Sequence, residues 1–286
     1  MKFAGRSREI VMRRPILLAL FAFLAAILPL RAQVSPSEQV QVGPPPVRRA
    51  EAPSPGATVE ELEKRGDELK ADKSFLDAID YYRAALGKKA KDAALLNRIG
   101  ICELLMHRLP EARKDLERAI KANKNYADAY NNLGVVLYLE GANRHDNGRF
   151  GKAIKQYDKA IKLQPDAASY YNNIGAAYFA RKEFEKASVA YSQALQLDPD
   201  IFERTSRSGV TAQLASPEDR AHYDYVLAKL YAKAGNLDRS LVYLGRAMEE
   251  GYKGINDVYK DQEFAGLRKD PRFTQLMTDR PPAIPE

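Results

Sequence analysis

Residues 130–134 read "YNNLG" and residues 170–175 read "YYNNIG", so the chain states nearly the same element twice, with Gly134 and Gly175 standing 41 residues apart. Elsewhere the spacing is shorter. Gly66, Gly100 and Gly134 are separated by 34 and 34, and the pairs Ala78/Ala112, Ala85/Ala119, Ala153/Ala187, Tyr157/Tyr191 and Ala160/Ala194 are each 34 apart. Pro165 and Pro199 close the last two periods. Apolar residues between these marks fall at three-to-four spacing, which predicts helices. A period in this range built from helices signals a solenoid, in which each unit buries its apolar faces only against its neighbours.

Within a unit, a Gly is followed twelve residues later by Ala, then by Tyr or Leu four further on, then by Ala after three more: Gly66/Ala78/Tyr82/Ala85, Gly100/Ala112/Leu116/Ala119 and Gly175/Ala187/Tyr191/Ala194. Small residues are expected where two helix axes approach, and Tyr or Leu four residues from an Ala shares its helix face. "AIKQYDKAIKLQPD" (153–166) and "ASVAYSQALQLDPD" (187–200) resemble the second helix of the tetratricopeptide repeat (TPR) closely. The resemblance implies an all-α fold, a right-handed superhelix of antiparallel helix pairs. The units would be 59–92, 93–126, 127–167 and 168–201. A fifth, degenerate unit at 221–254 is offset by 53 residues from the fourth (Gly175 to Ala228), with 202–220 as an inserted connection, either an extra ordered turn or a flexible break. Residues 255–280, carrying Phe264, Leu267, Phe273 and Leu276 around a break at Asp270–Pro271, read as a helical cap. "PPAIPE" (281–286) reads as a disordered tail. Similar Asp-Pro-Arg-Phe tails follow repeats in bacterial members of the family, which points to a bacterial source and, with the N-terminal segment described next, to an exported bacterial type.

The export reading comes from the first 32 residues. Arg6, Arg8, Arg13 and Arg14 precede the apolar run "ILLALFAFLAAILPL" (16–30), which exits at Ala32. That pattern is a secretory signal peptide with cleavage near Ala32. The alternative is an uncleaved anchor in the inner membrane, although the run is shorter than the roughly 20 residues a span needs. The expected location is therefore periplasmic or secreted. Residues 33–58 hold six prolines and no aromatic residue, the composition of a disordered linker.

Charge then excludes one class of function. The chain is +7, but removing residues 1–32 takes 45 basic and 38 acidic residues to 39 and 37, leaving +2. No basic footprint for nucleic acid remains. The single cysteine, Cys102, permits no intrachain disulfide and is read as a small core residue rather than a reactive thiol. His107, His145 and His222 show no metal-ligand spacing, and "HDNG" (145–148) reads as a turn. No cofactor and no enzymatic activity are expected.

The TPR resemblance implies a concave groove lined by the first helix of each unit. Matched to the Gly, the groove positions are Asn97, Ile101, Leu104 and Leu105, then Asn131, Val135 and Tyr138, then Asn172, Ala176 and Phe179. Amides there could pair with a peptide backbone and the aromatics supply contact area. Equally, the aliphatics could be inter-repeat packing and the asparagines could bond helix to helix. The Lys residues of the family's carboxylate clamp are absent from the central units. The expected function is an exported scaffold that binds a protein or peptide segment in its groove. The alternative is an accessory domain for an envelope enzyme, a glycan-processing or a secretion complex. The seven residues that stretch one period to 41 are assigned to "GANRHDN" (141–147). They number nearly two helical turns, yet Gly141, Asn143, Asp146 and Asn147 are poor helix formers, which favours a protruding loop over a longer helix.

Overall fold

Ten helices form five antiparallel pairs. They are α1 (Val59–Ala71) with α2 (Phe75–Lys88), α3 (Ala93–Leu105) with α4 (Leu109–Ala122), and α5 (Ala127–Arg144) with α6 (Asn147–Leu163); α7 (Ala168–Ala180) pairs with α8 (Phe184–Leu197), and α9 (Pro217–Lys233) with α10 (Leu237–Glu249). The computed structural model describes residues 50–203 and 217–280, and all of these belong to one compact unit, Pro46–Glu286. The expected signal peptide, residues 33–49 of the linker, residues 204–216 of the inserted connection and the tail 281–286 lie outside the described residues. No strand occurs among the described residues, and each helix packs on the next, so the architecture is a TPR-type helix-pair solenoid. Three 3₁₀ turns between Ile255 and Lys269 and a final α11 (Pro271–Asp279) follow the fifth pair, burying Phe264, Leu267, Phe273 and Met277 in one cluster with α9 and α10. Asp270 caps α11, its side chain accepting from the Arg272 amide at 2.9 Å.

The Gly-to-aromatic spacing sets how closely the two helices of a pair approach. A Cβ built on Gly66, Gly134 or Gly175 would lie 2.5 Å from a ring carbon of Tyr82, Tyr157 or Tyr191 respectively, and one on Gly100 would lie 2.7 Å from Leu116. Such contacts leave no room for a side chain. In the fifth pair Ala228 takes the Gly position opposite Leu244, and Ser240 replaces the first Ala, donating its hydroxyl to the Ala228 carbonyl at 2.8 Å. That pair shows that alanine is compatible with leucine across the crossing. Gly134→Ala is therefore expected to destabilise the chain: overpacking costs about 1–3 kcal/mol, against about 1 kcal/mol gained in helix propensity. Adding Tyr157→Leu should recover part of the loss. Urea denaturation of the two single variants and the double checks this; additive losses would show that the ring is not what the glycine accommodates.

The long period is resolved differently from the loop expectation. The α5 helix has 18 residues where α7 has 13, α6 has 17 where α8 has 14, and the turn between them is one residue shorter, which accounts for all seven added residues. The reason is phase. Gly141 lies seven residues after Gly134 and Phe150 seven before Tyr157, so two added turns bring Gly141 against Phe150 just as Gly134 meets Tyr157. A Cβ on Gly141 would lie 3.0 Å from the Phe150 ring. Glu140 pairs with Arg149 across the new crossing and with Arg113 of the preceding repeat at 3.3 Å. The residues that looked like loop formers sit at the helix ends. His145 takes a left-handed conformation (φ 51°), and the Asp146 side chain accepts from the Gly148 and Arg149 amides at 2.8 and 3.3 Å. The helix thus starts before "GRFGKA" (148–153), which sequence matching assigns to the turn.

Residues 50–58, expected to belong to the disordered linker, run along the first pair. The Ala50 amide donates to Asp77 at 3.1 Å, the Tyr81 hydroxyl to the Glu51 carbonyl at 3.0 Å, and Lys88 to the Pro55 carbonyl at 2.8 Å. Thr58 and Glu61 then form a reciprocal capping box that starts α1.

Candidate functional site

The side chains expected to line a groove lie mostly inside the protein. Asn131, Val135 and Phe179 are 0% exposed and Tyr138 is 1% exposed; Asn97, Leu104, Asn172 and Ala176 are also buried, and Ile101 is half-buried. Tyr138 packs its ring 5.3 Å from Phe150, the aromatic of the added turns. Phe179 is edge-on to Phe184, His222 and Tyr223 at 4.9, 5.2 and 6.2 Å. This corrects the expectation of an aromatic wall open to a partner: Tyr138 is buried against Phe150 within its own helix pair, and Phe179 is buried between its own pair and α9. Leu105 is exposed, at the end of α3.

The asparagines bond to one another. Asn97 donates to the Tyr126 hydroxyl (3.3 Å), Asn132 to Asn97 (3.0 Å), Asn131 to Asn132 (3.2 Å) and Asn173 to Asn131 (2.9 Å). A buried amide relay thereby joins α3, α5 and α7, satisfying groups that would otherwise be costly to bury. Two of its members, Asn132 and Asn173, were not among the expected site residues. The doubled Asn in "YNNLG" and "YYNNIG" was the available signal, since a lone groove amide would not need a neighbour.

Two buried acids carry the clearest electrostatic perturbations. Burial, reinforced by Asp115, pushes the Glu103 carboxyl up to about 7, although Arg83 lies 3.4 Å away. Burial, reinforced by Glu250, pushes Asp224 up to about 7. For Glu103 the folded pKa lies above the unfolded value of about 4.3, so the folded state binds the proton more tightly. Its charge therefore costs stability progressively as pH rises from roughly 4.3 to 7. Glu103→Gln should raise the melting temperature at pH 8 and change it little at pH 4.5; an equal shift at both would contradict this account. Cys102 is buried, and desolvation holds its thiol up to about 12, which keeps it protonated and inert at neutral pH. No group of three or more His, Cys, Asp or Glu among the described residues is placed to hold a metal ion. Nor is any described helix long and apolar enough to cross a membrane.

An accessible concave surface opens instead beyond the fourth pair. The α9 helix packs less closely on α8 than α3, α5 and α7 pack on the helices before them. The facing surface of α8 is polar (Ser188, Ser192, Gln193, Gln196), with Ser188 standing where α6 carries the buried Ile154. The result is a cleft of about 650 Å³ between α8, α9 and the segment 252–263. Its α9 wall includes Tyr225 and Lys229, which at the 53-residue offset correspond to Asn172 and Ala176. Carrying the groove positions into the degenerate fifth unit would have found them. A row of rings crosses the cleft. Phe184 and His222 are 4.2 Å apart, His222 and Tyr252 stack at 5.3 Å, and Tyr252 and Tyr225 stack at 4.5 Å. Burial lowers the pKa of His222. Asp261 accepts from the Tyr225 hydroxyl (2.9 Å) and pairs with Lys229 (2.9 Å), which also approaches Glu263 (3.6 Å). Val189, 71% exposed, is shared with a second cleft of about 520 Å³ between α6, α7 and α8.

Repeat architecture and clefts between repeats define a helical solenoid, and the sequence comparisons agree. Residues 107–141 and 143–182 match the family model "TPR repeat", and residues 168–201 match "Tetratricopeptide repeat". Tetratricopeptide repeats are therefore present in this chain, and α1/α2 and α9/α10, outside the matched spans, pair in the same way. No curated protein gives a significant match. Among solved structures the chain is similar to TTC0263, a thermophilic TPR protein in Thermus thermophilus, at 21% identity, over 77% of this chain and 100% of that one, with a TM-score of 0.48. It is also similar to MamA 41-end from Desulfovibrio magneticus RS-1 at 17% identity, over 69% and 97% of the two chains, with a TM-score of 0.46. YrrB, described as a TPR protein with an unusual peptide-binding site, is 17% identical over 73% and 90%, with a TM-score of 0.43.

Proposed function

We propose that this protein is a non-catalytic scaffold that holds a segment of a partner protein in the cleft between its fourth repeat, its fifth repeat and the following cap. The observation that carries the reading is the contrast between two surfaces. The first-helix wall of the central repeats is buried and bonded to itself, whereas the α8–α9 cleft keeps exposed groups on α8 and on the segment 252–263, among them Glu185, Val189, Gln196 and Asp257. Such a preformed concavity, with aromatic and aliphatic side chains set among many hydrogen-bonding and charged ones, gives a peptide both contact area and polar partners. We also propose that the protein is exported: the basic start, the apolar run 16–30 and the exit at Ala32 fit secretion to the periplasm or the medium. The mature chain would then begin near residue 33.

Photocrosslinking tests the site. A photoreactive residue is placed in the intact chain at Val189 or Tyr252, with Leu105 and Val242 as exposed positions elsewhere. Adducts to one defined partner segment from positions 189 and 252 are the expected result, and adducts arising only from 105 and 242 would overturn the assignment. Mass determination of the mature N-terminus tests export; an intact residue 1 in the native host contradicts cleavage.

A further inference from the structure

We propose that the α8–α9 cleft takes a peptide segment bearing arginine, its guanidinium groups laid against the half-buried rings Phe184, His222 and Tyr252 and met at the rim by Glu185, Asp257 and Glu263. This rests on the reading of the cleft as the partner site and gives that partner a chemistry.

Two independent features of the cleft point the same way. The first is charge. Its lining includes four carboxylates, Glu185, Asp257, Asp261 and Glu263, against two lysines, Lys229 and Lys233. Lys229 is held by Asp261 and Glu263, and Lys233 belongs also to the neighbouring hollow beside Leu195 and Pro199. An acidic or phosphorylated segment would meet net repulsion, while a cationic one meets complementary potential. The second feature is the row of rings: Tyr225 is buried and stacked on Tyr252, while Phe184, His222 and Tyr252 are half-buried and keep aromatic surface toward the cleft for a flat cation. His222 belongs to this row, and burial is the largest influence lowering its pKa; Asp219 opposes the shift, and Lys182 and Lys229 add to it. Arginine fits both features better than lysine, since its planar guanidinium stacks on aromatic faces and bonds carboxylates in a bidentate fork. The exposed Val189 on the ridge between the two clefts gives an apolar neighbour of the arginine a place to rest.

The test uses the full chain and three fluorescein-labelled peptides, (Ala-Arg-Leu)₃, (Ala-Lys-Leu)₃ and (Ala-Glu-Leu)₃, with fluorescence anisotropy at physiological salt. The Arg peptide should bind saturably and more tightly than the Lys peptide, and the Glu peptide should not bind. The triple variant Glu185→Lys, Asp257→Lys, Glu263→Lys should weaken the Arg peptide by about tenfold or more. A control triple at exposed sites away from the cleft, Glu60→Lys, Glu111→Lys, Glu117→Lys, should change it by less than about threefold at this ionic strength. Circular dichroism establishes that both triples are folded. Equal losses in the two triples would reduce the effect to net charge and overturn the proposal. So would binding of the Glu peptide as tightly as the Arg peptide, or no saturable binding of the Arg peptide. Any of these, combined with partner crosslinks at Val189 and Tyr252, would leave the cleft as the partner site and remove only its arginine preference. Failure of the crosslinks as well removes both.

Discussion

Tyr138→Ala combined with Phe179→Ala is expected to unfold the central and C-terminal repeats. Each change removes a side chain that is at most 1% exposed and packed against other rings. Large-to-small core changes of this kind cost about 3–5 kcal/mol apiece. Together they approach or exceed the roughly 5–15 kcal/mol that holds a typical domain. The two sites lie in different repeats, so their effects should add unless the solenoid between them is already frayed. Far-ultraviolet circular dichroism against urea is the direct measurement, with the exposed Leu105→Ala as a control that should stay within about 0.5 kcal/mol of the parent. A double variant that keeps its full helical signal and urea midpoint would mean that these rings are not core.

Asn132→Ala should be the next most damaging change in the central repeats. Asn132 donates to Asn97 and accepts from Asn131, so its loss strands an acceptor on α3 and a donor on α5, both buried. Leaving a buried polar group unpaired costs about 1–3 kcal/mol, so two give a loss of about 2–6 kcal/mol. Asn172→Ala, at a buried site outside the Asn97–Asn132–Asn131–Asn173 relay, should cost clearly less. Hydrogen exchange should show the loss at the junctions of α3, α5 and α7, where the relay crosses. Equal effects of the two variants would contradict the relay as a specific coupling between repeats.

The periodicity of Gly, Ala and Tyr made the fold legible, because those residues mark helix crossings and crossings recur wherever the fold does. Tyr157 and Tyr191 occupy equivalent crossings for that reason. The added residues 141–147 were misread because local propensity was weighed against an unseen tertiary gain. Gly141 is a poor helix former in isolation, but here it admits Phe150, and only the second helix reveals that. The candidate site was legible least. Position matching identified which residues face inward from the first helices, but not how tightly successive repeats close over them. At Asn131 they close completely; between α8 and α9 they do not. Ser188, Ser192 and Gln196 hinted at this, since a polar stripe on α8 gives α9 little apolar surface to pack on.

Amide hydrogen exchange of the full chain, free and bound to the partner segment recovered by crosslinking, tests the central claim most directly. The account predicts added protection in residues 184–196, 222–233 and 252–263, with α3 and α5 unchanged. Protection confined to α3 and α5, with none across the α8–α9 cleft, would contradict it.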